Sequence, residues 1–160
     1  MISFDFSLFD ALTAKAKASA RQRQHFNLHT APEEPSQRLL IALEPETYVR
    51  PHRHLADAKP ECFLCLRGRL GLLLFDGHGV VTKAAYISPG SAICGGEIPA
   101  GVWHAVISLE SGSILFETKR GPFVPLAADD FAPWSPPEGD SEVAGYLQVL
   151  KQALSAFCDS

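Results

Sequence analysis

The chain has 160 residues, 46% of them hydrophobic and 20% charged, with a formal net charge of −4. That length suits one domain with a substantial core, and an acidic balance without a basic stripe argues against nucleic acid as a partner. No run approaches the roughly 20 apolar residues of a membrane span. The N-terminus carries Asp5 and Asp10 where a signal peptide would be basic and then apolar, so no membrane partner and a cytoplasmic location are expected.

Residues 7–20 are predicted to be helical. Ser7-Leu8-Phe9-Asp10 has the form of a capping box, and residues 11–20 are rich in good helix formers. Residues 21–37 contain Pro32 and Pro35 and read as an arm with short extended pieces. His25 and His29 lie in it and read as polar arm residues. From Arg38 the pattern changes to short β-runs, with strands predicted at 38–43, 47–54, 61–67, 70–75, 80–87, 92–98, 103–109 and 113–119. Turn signals such as Asp76-Gly77-His78-Gly79 and Pro99-Ala100-Gly101 separate them. Many short strands with no helix between them indicate a sandwich or barrel and exclude a βαβ plan.

Residues 120–140 carry five prolines along with Phe123, Phe131 and Trp134. So aromatic a loop is expected to pack down on the barrel. A helix is predicted over 141–157, where Val143, Leu147, Leu150, Leu154 and Phe157 form one apolar stripe. The domain thus reads as an N-terminal helix and arm (1–37), a barrel (38–120), and a proline-rich loop with a C-terminal helix (121–160).

The chemistry concentrates in Pro51-His52-Arg53-His54. On an extended strand His52 and His54 share one face, while Arg53 points the other way. Glu61 opens the next predicted strand, and His104 follows the Pro99-Ala100-Gly101 turn. Three imidazoles and a carboxylate suit one borderline divalent ion, namely Zn, Fe, Ni, Co or Mn, and leave coordination positions open for exchange. Cys62 and Cys65 form the only CxxC pair. Three residues apart on a strand, they face opposite sides and read as buried structural thiols, not a metal knuckle.

These residues resemble the cupin superfamily, whose first motif reads roughly G-x5-H-x-H-x3,4-E-x6-G. Here His52, His54, Glu61 and Gly68 match it, with a longer gap before the glutamate and no opening glycine. Pro99, Gly101 and His104 match the P-x-G-x2-H part of the second motif, and Ser108 stands where that motif has asparagine. The chain is also similar to the WbuC-type cupin-fold metalloproteins, small proteins often associated with bacterial O-antigen sugar gene clusters. The strings Tyr48-Val49-Arg50-Pro51-His52-Arg53-His54 and Asp130-Phe131-Ala132-Pro133-Trp134 carry that similarity most specifically.

The resemblance implies a mainly β double-stranded β-helix, that is, a cupin or jelly-roll barrel, with a terminal helix at each end. It also implies one bound divalent metal held by His52, His54, Glu61 and His104, and a homodimer. The ligand is expected to be a small, sugar-related or otherwise oxygenated metabolite. Tyr48, Arg50, Phe63, Trp103, Phe116 and Lys119 are the candidate pocket residues. Metal-dependent isomerase, epimerase or dioxygenase chemistry and non-catalytic ligand binding are both compatible with this pattern.

Overall fold

A computed structural model describes residues 1–55 and 59–158. Its elements in order are α1 (Phe6–Ala18), β1 (Arg23–Asn27), β2 (Ser36–Leu43), β3 (Glu61–Arg67), β4 (Leu70–Phe75), β5 (Val81–Ile87), β6 (Gly95–Ile98), β7 (Trp103–Ser108), β8 (Ser113–Arg120), a 3-10 turn at Ala128–Asp130 and α2 (Val143–Cys158). The strands build a five-stranded sheet, β1-β2-β8-β3-β6, and a three-stranded sheet, β5-β4-β7. All their pairings are antiparallel. The architecture is the mainly β jelly roll with a helix at each end that the resemblance implied, and it agrees with the sandwich or barrel expected from the strand pattern.

Strand alternation sorts the side chains into layers. Between the sheets, Leu39, Ile41, Phe63, Cys65, Val106 and Leu115 form one core cluster. Residues one position away point outward. Leu40, Ala42 and Ile114 pack under α1 with Phe9, Leu12 and Ala16. Leu73, Ala105 and Ile107 pack under Leu147, Leu150 and Leu154 of α2. Gly71 on β4 lets that helix approach, because a Cβ there would collide with Leu154 and Ile107.

Four expectations are corrected in detail. Asp5, not Ser7, caps α1, accepting a hydrogen bond from the Leu8 amide at 2.9 Å; aspartate serves there as well as serine. The arm contains a true strand, β1, paired with β2. Residues 47–54 form no strand and make bridges only at His52, with His104 on one side and Phe131 on the other; Pro51 next to it has no N–H to donate. β6 is shorter than predicted, because Ser91 closes a turn by donating its hydroxyl to the Ser88 and Ile93 carbonyls. The 120–140 loop does pack down: Tyr48 Oη donates to the Pro136 carbonyl at 3.0 Å, and Trp134 packs in tilted and edge-on contact with Phe75 and Trp103. No helix among the described residues is long and apolar enough to cross a membrane.

Candidate metal centre

Four side chains from three parts of the fold meet between the sheets. His52 and His104 are held together by reciprocal backbone bonds, with N···O distances of 3.0 and 2.9 Å. His104 follows the turn in which Gly101 has φ +73°, a left-handed conformation that glycine adopts without strain. On β7 it shares the inward parity of Val106, while Trp103 faces outward. Glu61 starts β3, directly opposite Lys119 of β8. The ligand-capable atoms of His52, His54, Glu61 and His104 all lie within 4.8 Å of one another. His54, Glu61 and His104 are buried, and His52 is partly exposed.

The hydrogen bonds fix how the rings present themselves. Nδ1 of His52 lies 2.9 Å from the Arg50 carbonyl, and Nδ1 of His104 lies 3.0 Å from the Val102 carbonyl. A carbonyl oxygen only accepts, so each Nδ1 carries the proton, and in the neutral ring Nε2 holds a lone pair. Burial, reinforced by the neighbouring His104, pushes the His52 imidazole down to about 3, which keeps it neutral.

The carboxylate faces the Nε2 atoms of His54 and His104. His54 Nε2 is 2.9 Å from Glu61 Oε1, and His104 Nε2 is 2.9 Å from Glu61 Oε2. Yet His54 Nε2, His104 Nε2 and Glu61 Oε2 are buried atoms without a hydrogen-bond partner. Three buried polar atoms therefore converge with nothing to satisfy them, which is costly, and imidazole nitrogen and carboxylate oxygen are the donor types that a divalent ion satisfies. Burial alone would raise the Glu61 carboxyl. The Lys119 ammonium favours the ionised form, and the carboxyl is held below the ordinary carboxylate range.

Lys119 Nζ donates to Glu61 Oε1 and also contacts Glu117 Oε1, both at 2.7 Å. Burial works against the ammonium, but the two carboxylates outweigh it and raise the lysine pKa. Glu117 is itself raised by burial, which the Lys119 charge only partly offsets.

The cluster opens on a cavity of about 660 Å3. Arg50, Phe63 and Lys119 line it, together with His52, His54 and His104. Tyr48, Trp103 and Phe116 are not among its lining residues. Tyr48 and Trp103 belong to the cluster under α2, and Phe116 packs in the cluster under α1. The Arg53 guanidinium stacks 4.1 Å above the Trp103 ring, away from the cluster. Arg50 has a structural task as well: its guanidinium donates to Ser135 Oγ and to the Ala132 and Ser135 carbonyls at 3.0–3.1 Å. The cavity also uses His25, Asn27, Gln37 and Glu117. The inward parity of Glu117 and Lys119 along β8 was readable from the strand, but their place beside Glu61 depends on the β3–β8 register. Cys65 is buried and Cys62 half-buried on the other face of β3.

Comparison with known proteins identifies the fold and a family. The family model described as a domain of unknown function (DUF6016) matches residues 4–87, just over half of the chain. No curated protein matches the sequence. Among solved structures, the chain is similar to CapF in complex with the inhibitor 3-isopropenyl-tropolone, with TM-score 0.54 and 16% identity over 70% of this chain and 31% of that one. It is similar to TT1209 from Thermus thermophilus, with TM-score 0.53 and 16% identity over 76% and 98% of the two chains. A cupin 2 domain-containing protein from Halorhodospira halophila superposes with TM-score 0.50 and 13% identity over 82% and 79%. At these identities the likeness concerns the fold, which is that of the cupins.

Proposed function

The chain belongs to the DUF6016 family, and from that footing we propose that it is a metal-binding cupin whose ion faces a cavity for a small, sugar-related or otherwise oxygenated metabolite. The observation that carries the proposal is the convergence of three unpartnered buried donors, His54 Nε2, Glu61 Oε2 and His104 Nε2, beside the partly exposed His52. The two carbonyls behind His52 and His104 orient the rings, as second-layer acceptors do around metal-bound histidines. A bound divalent ion would supply Lewis acidity toward an oxygen of the ligand. The chain's own contribution is to hold His52 neutral and Glu61 ionised, and to enclose the ligand with Phe63 and the apolar wall.

The WbuC-like strings around His52 and Phe131 support the sugar-related part of the proposal. Arg50, Phe63 and Lys119 are the proposed ligand-contacting residues, since they line the cavity. A homodimer is proposed too, supported by the edge position of β1 in the five-stranded sheet; light scattering tests it, and a monomer would refute it. The functional test loads metal-free protein with cobalt(II), nickel(II), zinc(II), manganese(II) or iron(II) and titrates it with simple sugars and hydroxy acids. Binding is expected only in the loaded protein and is lost in His52→Ala. Equal binding by the metal-free protein would refute the proposal.

A further inference from the structure

The two oxygens of Glu61 have different neighbours. Oε1 accepts a hydrogen bond from Lys119 Nζ at 2.7 Å and lies 2.9 Å from His54 Nε2, whereas Oε2 is buried without a hydrogen-bond partner, 2.9 Å from His104 Nε2. The difference is built into the sheet. Glu61 and Lys119 are directly opposite in the β3–β8 ladder, so their side chains lie on the same face. Glu117, two residues from Lys119 on β8, shares that face and grips the ammonium from the other side at 2.7 Å. The ammonium is thereby pinned between two carboxylates, with only a minor part of its side chain exposed.

A carboxylate free at both oxygens can occupy two positions around an ion. An ammonium on one oxygen competes for that oxygen's lone pairs and favours donation through the other. We propose that Lys119 is a positioning residue for the metal centre: it holds Oε1 of Glu61, restricts that carboxylate to donation through Oε2, and so leaves a position on the ion free for a ligand from the cavity. This rests on the reading of the cluster as a metal centre. It gives the buried cation a reason to be there, since an apolar side chain in the same wall would avoid the cost of desolvating an ammonium. It also assigns Glu117 a role, as the second anchor that fixes where the ammonium sits.

The test uses full-length wild-type protein, Lys119→Met and Lys119→Gln, each loaded with cobalt(II). X-ray absorption counts the oxygen and nitrogen neighbours, and the visible ligand-field bands weaken as the coordination number rises. Lys119→Met is expected to gain one oxygen neighbour and lose band intensity. Lys119→Gln, which retains an N–H donor on a side chain one bond shorter, is expected to stay closer to the wild-type spectrum than Lys119→Met. A Lys119→Met spectrum identical to wild type would overturn the proposal. Should Lys119→Met fail to fold, the wild-type protein alone still decides. Its infrared difference spectrum with and without metal is expected to show the wide carboxylate splitting of one-oxygen binding, and a narrow, two-oxygen splitting would overturn the role of Lys119. A wild type that takes up no cobalt(II) would instead overturn the metal reading itself, and this inference with it.

Discussion

Glu61→Gln separates what the carboxylate does for the metal from what it does for the fold. The side chain is 2% exposed and keeps its shape in the substitution. Without metal, the variant loses the ion pair with Lys119, whose hydrogen bond is worth about 1.5–3 kcal/mol, and retains a weaker bond from the ammonium to the neutral amide oxygen. Its new N–H can donate to the His104 lone pair 2.9 Å away, returning about 0.5–1.5 kcal/mol. Lys119 also keeps Glu117. The net loss in the presence of chelator is therefore small, about 1 kcal/mol.

The metal effect is expected to be large, because a neutral amide replaces the only anionic donor. Even groups behind the ligands change metal affinity about 10–100-fold, so a ligand itself is expected to cost at least about 100-fold, or about 2.7 kcal/mol. Metal at 1,000 times the wild-type dissociation constant stabilises the folded protein by about 4.1 kcal/mol, and at only 10 times by about 1.4. The assay pairs chelator competition with urea melts, with and without metal. A Glu61→Gln protein with wild-type metal affinity would refute the reasoning. So would a variant that collapses in chelator alone, since it would show that the carboxylate serves mainly the fold.

Three further outcomes follow from the packing. Leu154→Ala removes a fully buried α2 side chain seated on the three-stranded sheet; a loss of about 2–5 kcal/mol is expected in urea melts, and a loss below about 1 would contradict this packing. Arg50→Ala removes three hydrogen bonds to residues 132 and 135. It should cost roughly 2–3 kcal/mol and speed amide exchange across 130–136 with metal content unchanged; unaltered exchange there would count against the tether. Burial pushes the Tyr48 hydroxyl up to about 12, so the fold favours its neutral form. Stability from this group is full below the unfolded-state pKa near 10 and is lost as pH rises from about 10 to 12, by roughly 2–3 kcal/mol. Tyr48→Phe should lose less than wild type over that range, and equal losses would refute the assignment.

The clustering of His52, His54, Glu61 and His104 was legible because each member sits at a local feature with chemical meaning: His-x-His beside a proline, Glu61 at a strand start, His104 after a Pro-x-Gly turn. The β1 strand was not, because its inward residues Arg23, His25 and Asn27 line the cavity and an inner face that is polar erases the usual alternation. The 47–54 segment misled in the opposite sense, since its composition is strand-like while Pro51 and the close bridge to His104 limit its pairing. Side-chain parity alone separates Trp103 from His104 and Phe116 from Glu117, sending the aromatic of each pair outward. The Glu61–Lys119–Glu117 line joins strands about 60 residues apart in sequence. No local pattern encodes that register.

The most direct measurement is the metal content of protein purified without added metal, loaded with a divalent ion and freed of excess by gel filtration. Wild type should retain about one equivalent per chain, and His104→Ala, still folded by circular dichroism, should retain almost none. A wild type without bound metal, or a His104→Ala protein that keeps its full equivalent, would contradict the account.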